Sequence, residues 1–186
     1  MMKRALLLLA PAILAIVAVA VAMAKSPSAA PPFATFAPAN EPGTRLIVAG
    51  RVFDETGKRG VAGVKLDAYH TDAEGGYDSI VPGSARLKGT VVTDAEGRFE
   101  WRTIRPMPYP GGGNPAHIHI EASGGGYPKQ WVDELWFSDD PYLTAKQKES
   151  SKAKGAFNPV VTTTRDANGV LRAAFNIRLS KNPRNH

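Results

Sequence analysis

Apolar and polar residues alternate most cleanly near the C-terminus, where Leu171, Ala173, Phe175, Ile177 and Leu179 interleave with Arg172, Ala174, Asn176 and Arg178. A period of two marks a strand with one buried face. Segments of comparable strand character lie at Leu46–Phe53, Val64–Tyr69, Leu87–Val92, Arg98–Ile104, Ala116–Ala122, Trp131–Phe137 and Val170–Leu179. Between them recurs the form Asp-x-x-Gly, as Asp54–Gly57, Asp72–Gly75, Asp94–Gly97 and Asp166–Gly169. An Asp opening a turn bonds back to its own backbone, and Gly at the fourth position accepts positive φ, so each copy reads as a tight reversal closing a hairpin. Many short strands with frequent turns predict an all-β, antiparallel β-sandwich. One short surface helix is expected from Asp140-Pro141, with Asp as cap and Pro at the first helical position, ending by Gly155. It is too polar to belong to a core.

The N-terminus has another pattern. Lys3 and Arg4 precede an uncharged run from Ala5 to Ala24 that closes on Ala22-Met23-Ala24, a small–x–small cleavage signature. The expectation is an export signal over 1–24, with an uncleaved anchor as the alternative, since about 20 helical residues also span a bilayer. Either form places the remainder in the periplasm or outside the cell, and membrane attachment arises only if the segment stays uncleaved. Pro27, Pro31, Pro32, Pro38 and Pro42 mark 25–44 as an extended linker. The folded unit is then expected over 45–181, with 182–186 as a tail.

A chain of 186 residues holds one domain of this kind, and 18 Gly with 15 Pro argue against a helical bundle. Absence of Cys excludes disulfides, thiolate metal sites and a Cys nucleophile, so any metal needs N and O donors. Removing 1–24 deletes Lys3 and Arg4 and lowers the formal charge from +6 to +4. The basic residues are scattered among acids, and the cluster Lys146, Lys148, Lys152 and Lys154 has no interleaved aromatic residue. Nucleic acid is therefore not an expected partner.

The candidate chemistry lies in 103–119. His117-Ile118-His119 puts two imidazoles at i and i+2, on one face of a strand and about 6.5 Å apart along it, so both rings can approach one metal. Ala116, Ile118 and Ile120 then point into the sandwich. His70 and His186 have no such partner and read as incidental. Two further ligands are needed. Tyr109 sits in Pro106-Met-Pro-Tyr-Pro110, a stretch stiffened by prolines, and Tyr77 directly follows the second turn. A phenol ionises near pKa 10 and yields its proton only to a hard, highly charged ion. Two phenolates with two imidazoles suit Fe(III) better than Zn(II) or Cu(II).

The ordered runs Thr90–Phe99 (TVVTDAEGRF), Arg102–Pro110 (RTIRPMPYP), Pro115–His119 (PAHIH) and Leu135–Pro141 (LWFSDDP), with Gly50–Asp54 and Gly75–Tyr77, resemble the intradiol ring-cleavage dioxygenases. These are the relatives of protocatechuate 3,4-dioxygenase and catechol 1,2-dioxygenase. The resemblance implies a non-haem Fe(III) held by Tyr77, Tyr109, His117, His119 and a solvent ligand, with Tyr109 displaced by substrate. It implies insertion of both atoms of O₂ into a catecholic ring, giving a muconate-type product, without an organic cofactor. Two positions depart from the family pattern. Asn114 stands where the family usually carries a charge-stabilising Arg, and Glu134 where it carries a pocket-ordering Gln. Glu134 is expected either to be ionised, disfavouring carboxylated catechols, or to be buried, protonated and a hydrogen-bond donor.

Two other readings compete. In one the chain is a transthyretin-like or carboxypeptidase-regulatory-like binding module without catalysis, where TDAEGRF is only a hairpin. In the other, His117 and His119 hold zinc with Asp133 or Glu134. A sandwich of this size either stands alone or pairs through an edge strand into a homo-oligomer.

Overall fold

The computed structural model describes residues 31–77 and 84–183, and the signal or anchor segment and His186 lie outside them. Among the described residues, no helix is long and apolar enough to cross a membrane. The strands are β1 (Phe33–Thr35), β2 (Arg45–Phe53), β3 (Val64–His70), β4 (Leu87–Val92), β5 (Arg98–Ile104), β6 (His117–Gly124), β7 (Tyr127–Trp131), β8 (Leu135–Phe137), β9 (Val160–Val161), β10 (Thr164–Arg165), β11 (Leu171–Ala174) and β12 (Ile177–Arg178). They form two six-stranded sheets. One runs β1-β5-β2-β11-β10 with β12 also on β2; the other runs β4-β3-β6-β8-β9 with β7 also on β6.

The inner faces supply the core. Val48, Val52, Phe99 and Trp101 from the first sheet meet Val64, Leu66, Ile118, Ile120, Leu135 and Phe137 from the second, all without measurable exposure. The architecture is the β-sandwich the alternation predicts. The Asp-x-x-Gly segments are tight reversals as expected, but not all close hairpins. Asp166–Gly169 joins the paired strands β10 and β11, whereas Asp94–Gly97 carries the chain from β4 in one sheet to β5 in the other. Asp72, Asp94 and Asp166 each accept the backbone N–H groups two and four residues on, and the four Gly residues take φ of 72–83°.

Several expectations need correction. The pairing is mixed, because β1 lies parallel to β5, β11 and β12 parallel to β2, and β9 parallel to β8. The segment Trp131–Phe137 divides between β7 and β8, which pair with different parts of β6. Val170–Leu179 keeps its alternation, yet Phe175 and Asn176 interrupt it. The helix α1 spans Ala145–Lys152 and starts at Thr144, not Asp140. Thr144 and Gln147 satisfy each other's backbone N–H in a capping box, the stronger start signal. Asp140 instead accepts the N–H of Ala116 at 3.0 Å and anchors the entrance to β6.

The linker expectation fails from Phe33 onward. β1 extends the first sheet, Phe36 is buried in the core against Trp101, with ring centroids 6.0 Å apart, and Ala37 is buried beside it. Glu41 receives a bidentate bond from Arg86 at 2.5 and 2.9 Å. This order comes from pairing with a strand distant in sequence, a contact no local pattern reveals.

His70 is also structural rather than incidental. It is buried, its Nδ1–H donates to the Thr71 carbonyl at 2.6 Å and its Nε2 accepts the Thr103 hydroxyl at 2.6 Å. Burial pushes its pKa down to about 4.

Phe36→Ala is expected to cost about 3–5 kcal/mol in chemical denaturation; a loss near zero would return 31–44 to a free tether. His70 gives a second test. The folded state favours the neutral ring, so below pH 6.5 the unfolded chain binds a proton that the native chain does not. The stabilisation is complete above that pH and is lost as pH falls toward 4, on the order of 3 kcal/mol in all. His70→Gln should flatten the pH 6.5–4.5 stability slope by nearly one proton, and an unchanged slope would contradict the assignment.

Candidate metal centre

The site lies on the outer face of the second sheet. Because Ile118 and Ile120 of β6 are fully buried, the pleat sends His117 and His119 to the other side, as the sequence implies. Their Nε2 atoms are 3.0 Å apart. Tyr109, from the proline-stiffened loop, places its hydroxyl 3.1 Å from His117 Nε2 and 3.4 Å from His119 Nε2. Tyr77 places its hydroxyl 3.1 Å from His119 Nε2 and 2.6 Å from the Tyr109 hydroxyl. Four ring-borne donors from three stretches of chain thus meet at one point.

The two Tyr-bearing segments are fastened together. The Thr71 hydroxyl donates to the Met107 carbonyl at 2.6 Å, and the Met107 N–H donates to the Asp72 carbonyl at 3.2 Å. Gly75 lies at φ +83°, and a Cβ there would stand 2.1 Å from the Pro108 carbonyl oxygen. Only glycine lets the turn that presents Tyr77 close onto the loop that presents Tyr109.

Hydrogen bonds fix which nitrogens face inward. His117 Nδ1–H donates to the Pro115 carbonyl at 2.7 Å, and His119 Nδ1–H to Glu134 Oε1 at 3.0 Å. With both Nδ1 protons committed, a neutral imidazole leaves a lone pair on each Nε2. Two lone pairs 3.0 Å apart repel unless a proton or a cation lies between them. Donors about 2.0–2.1 Å from a common ion, at angles of 90–110°, stand about 2.9–3.4 Å apart. The four separations involving a nitrogen fit that range; the fifth is a phenol–phenol hydrogen bond. Burial, and then the Tyr109 hydrogen bond, push the Tyr77 phenol well above its ordinary pKa. Only a hard, highly charged cation would displace that proton, which matches the two-oxygen, two-nitrogen donor set.

Glu134 is not a buried acid donating a proton. It accepts from His119 and from Trp136 Nε1–H (3.2 Å), and the His119 bond holds its carboxyl below the ordinary range against the opposing effect of burial. His117, His119 and Glu134 do offer ligand atoms within 4.8 Å of one another, the cluster a zinc reading requires. Glu134 meets His119 on Nδ1, however, behind the ring, away from the point where the two Nε2 atoms meet. Asp133 is paired with Lys154 at 2.6 Å and takes no part. Asn114 is exposed on the glycine-rich loop before β6 and makes no side-chain hydrogen bond among the described residues.

Sequence reasoning missed Tyr69. Its ring stacks on His119, centroids 4.6 Å apart and planes at 22°, because Tyr69 and His119 are register partners on β3 and β6. The available signal was its place on the polar face of β3, opposite Leu66 and Ala68. An open groove of about 970 Å³ adjoins the centre, its wall including Tyr69, His119, Trp131, Glu134, Trp136 and Phe157.

Fold and site together define a β-sandwich that gathers two phenols and two imidazoles at one point on the outer face of a sheet. A family model described as Dioxygenase matches residues 21–181. The chain is 32% identical over 136 residues to the chlorocatechol 1,2-dioxygenase of Rhodococcus opacus, covering 62% of this chain and 52% of the relative. It is 34% identical over 113 residues to the protocatechuate 3,4-dioxygenase beta chain of Burkholderia cepacia, covering 54% and 48%. Among solved structures, the dioxygenase domain of a dioxygenase carbohydrate-binding protein fusion from Streptomyces sp. SirexAA-E aligns with a TM-score of 0.61 at 29% identity, over 78% of this chain and 86% of that one. The 3-chlorocatechol 1,2-dioxygenase of Rhodococcus opacus 1CP shares the fold, with a TM-score of 0.62 at 24% identity over 78% and 63%. The chain belongs to the intradiol ring-cleavage dioxygenase family, whose members use non-haem iron. It spans about half the length of the curated relatives it matches.

Gly75→Ala should separate Tyr77 from Tyr109 without touching a ligand. The expected result is a sandwich with unchanged circular dichroism whose metal affinity falls at least 10-fold; wild-type affinity would remove the turn–loop junction from the account.

Proposed function

We propose that this domain is a non-haem Fe(III) intradiol dioxygenase acting on a catecholic aromatic compound with O₂. The observation that carries the reading is the convergence of Tyr77, Tyr109, His117 and His119 on one point, with the separations given above. A binding module without catalysis has no use for two phenols and two bare imidazole nitrogens gathered this closely. A zinc hydrolase would leave both phenols idle.

When bound, a ferric ion supplies Lewis-acid withdrawal of electron density from a coordinated catechol, which opens the ring to O₂. The protein's part is positioning and proton handling. His117 and His119 are held by their Nδ1 bonds and, for His119, by the Tyr69 ring, so they serve as fixed donors. Tyr109 lies on a loop rather than in the sheet, and its oxygen contacts Tyr77, His117 and His119. That oxygen is the group placed to hold a proton given up by a catechol hydroxyl. In the overall reaction the bond between the two hydroxyl-bearing carbons breaks, and each of those carbons gains one atom of O₂. A muconate-type diacid results.

The open groove has an aromatic wall that includes Tyr69, Trp131 and Trp136, and it meets the centre at His119, on the side of that ring where Glu134 lies. The acid nearest the centre is the Glu134 carboxylate, which disfavours a carboxylate on the substrate at that point. We read residues 1–24 as the segment that takes the domain out of the cytoplasm, on the basic start, the apolar run and the Ala22-Met23-Ala24 site.

The test is metal analysis and a visible spectrum of the purified protein, followed by reaction with a catechol under ¹⁸O₂. One iron per chain, a red-brown band and both labelled atoms in the product are expected. Tyr77→Phe with Tyr109→Phe should abolish the band. A colourless protein with stoichiometric zinc, or product carrying fewer than two labelled atoms, would overturn the reading.

A further inference from the structure

We propose that Glu134 is a positioning residue that uses its full negative charge to set the donor strength of one of the two histidines at the centre. The inference rests on the metal reading above and goes beyond it. The two imidazoles are backed differently. His117 Nδ1–H meets a neutral backbone carbonyl, Pro115, at 2.7 Å, whereas His119 Nδ1–H meets a carboxylate at 3.0 Å. Glu134 accepts a second N–H bond, from Trp136 Nε1 at 3.2 Å. Its two oxygens are thus each held by a ring N–H, in the acceptor role of an ionised carboxyl.

The imidazole cannot turn away from this partner. Tyr69 is stacked on one face of His119, and the β3–β6 register fixes both backbones. Charge assistance along Nδ1–H···Oε1 draws the proton toward Glu134 and leaves more electron density on Nε2, the atom that faces Tyr77, Tyr109 and His117. A cation held there feels two phenol oxygens, two imidazoles and, one bond further out, a third negative group. That arrangement favours the trivalent over the divalent ion. It also raises the energy needed to move charge from tyrosinate to metal. Trp136 sets the second oxygen of Glu134 and shares the groove wall with it, which makes the order Trp136, Glu134, His119 a chain from the groove to the centre.

The experiment compares wild type with Glu134→Gln and Glu134→Leu in the full chain, by three readouts. Nitrogen-15 NMR of the metal-free protein reports the His119 tautomer. The visible maximum and the Fe(III)/Fe(II) potential of the loaded protein report donor strength, and competition with a chelator reports affinity. In wild type His119 should carry its proton on Nδ1. Glu134→Gln keeps an acceptor carbonyl, so the tautomer and iron binding should persist while the band moves to lower energy and the potential rises. Glu134→Leu should lose the tautomer preference and 10- to 100-fold in affinity. An Nε2–H tautomer in metal-free wild type, or a Gln variant with unchanged band and potential, would overturn the role of Glu134 while leaving the iron centre standing. A wild-type protein that takes up no ferric ion would instead overturn the metal reading, and this inference with it.

Discussion

The pleat of β6 is the constraint on which the rest depends. Burying Ile118 and Ile120 in the sandwich leaves His117 and His119 no face but the opposite one. Slipping the strand by one residue would bury two imidazoles and expose two isoleucines, so the hydrophobic core itself enforces the orientation of the ligands. The hydrogen bonds at Nδ1 complete the task by turning both Nε2 lone pairs to one side. Core packing and the direction of the two imidazoles are therefore joined through a single strand.

The two phenols come from outside the sheet, and their placement depends on a different kind of contact. The turn ending at Tyr77 and the loop carrying Tyr109 are clamped by Thr71, Met107 and the close approach at Gly75. The rigid half of the centre is thus built on β6, and the adjustable half on loops locked to each other. Such a division suits a site in which one phenol oxygen must take part in proton movement while the histidines stay still. The departures at Asn114 and Glu134 fit the same picture unevenly. Glu134 is integrated into the hydrogen bonding behind His119, whereas Asn114 sits exposed on its loop.

What the sequence made legible was what depends on short-range geometry. The alternation in Leu171–Leu179, the Asp-x-x-Gly reversals and the shared face of His117 and His119 are all fixed within a few residues, and all appear in the structure. Tyr77 and Tyr109 came from the resemblance and from the stiffness of the proline loop, not from any local rule. The misses are long-range. The packing of Phe36 and the parallel pairing of Phe33–Thr35 with β5 arise from partners far along the chain. So does the stacking of Tyr69 on His119, which only the β3–β6 register creates. The helix start was misread because Asp140-Pro141 mimics a cap. The capping box at Thr144 and Gln147 was present in the letters and is the better signal. His70 looked idle since its partners, Thr71 and Thr103, are a neighbour's backbone and a side chain on the other sheet.

The central claim is that one ion sits among these four side chains, and X-ray absorption at the iron edge of the loaded protein examines it most directly. The expected result is a shell of oxygen and nitrogen donors near about 2 Å with outer-shell scattering from two imidazoles, reduced to one in His119→Ala. Scattering from a single imidazole in the wild type, or a spectrum unchanged by that substitution, would contradict it.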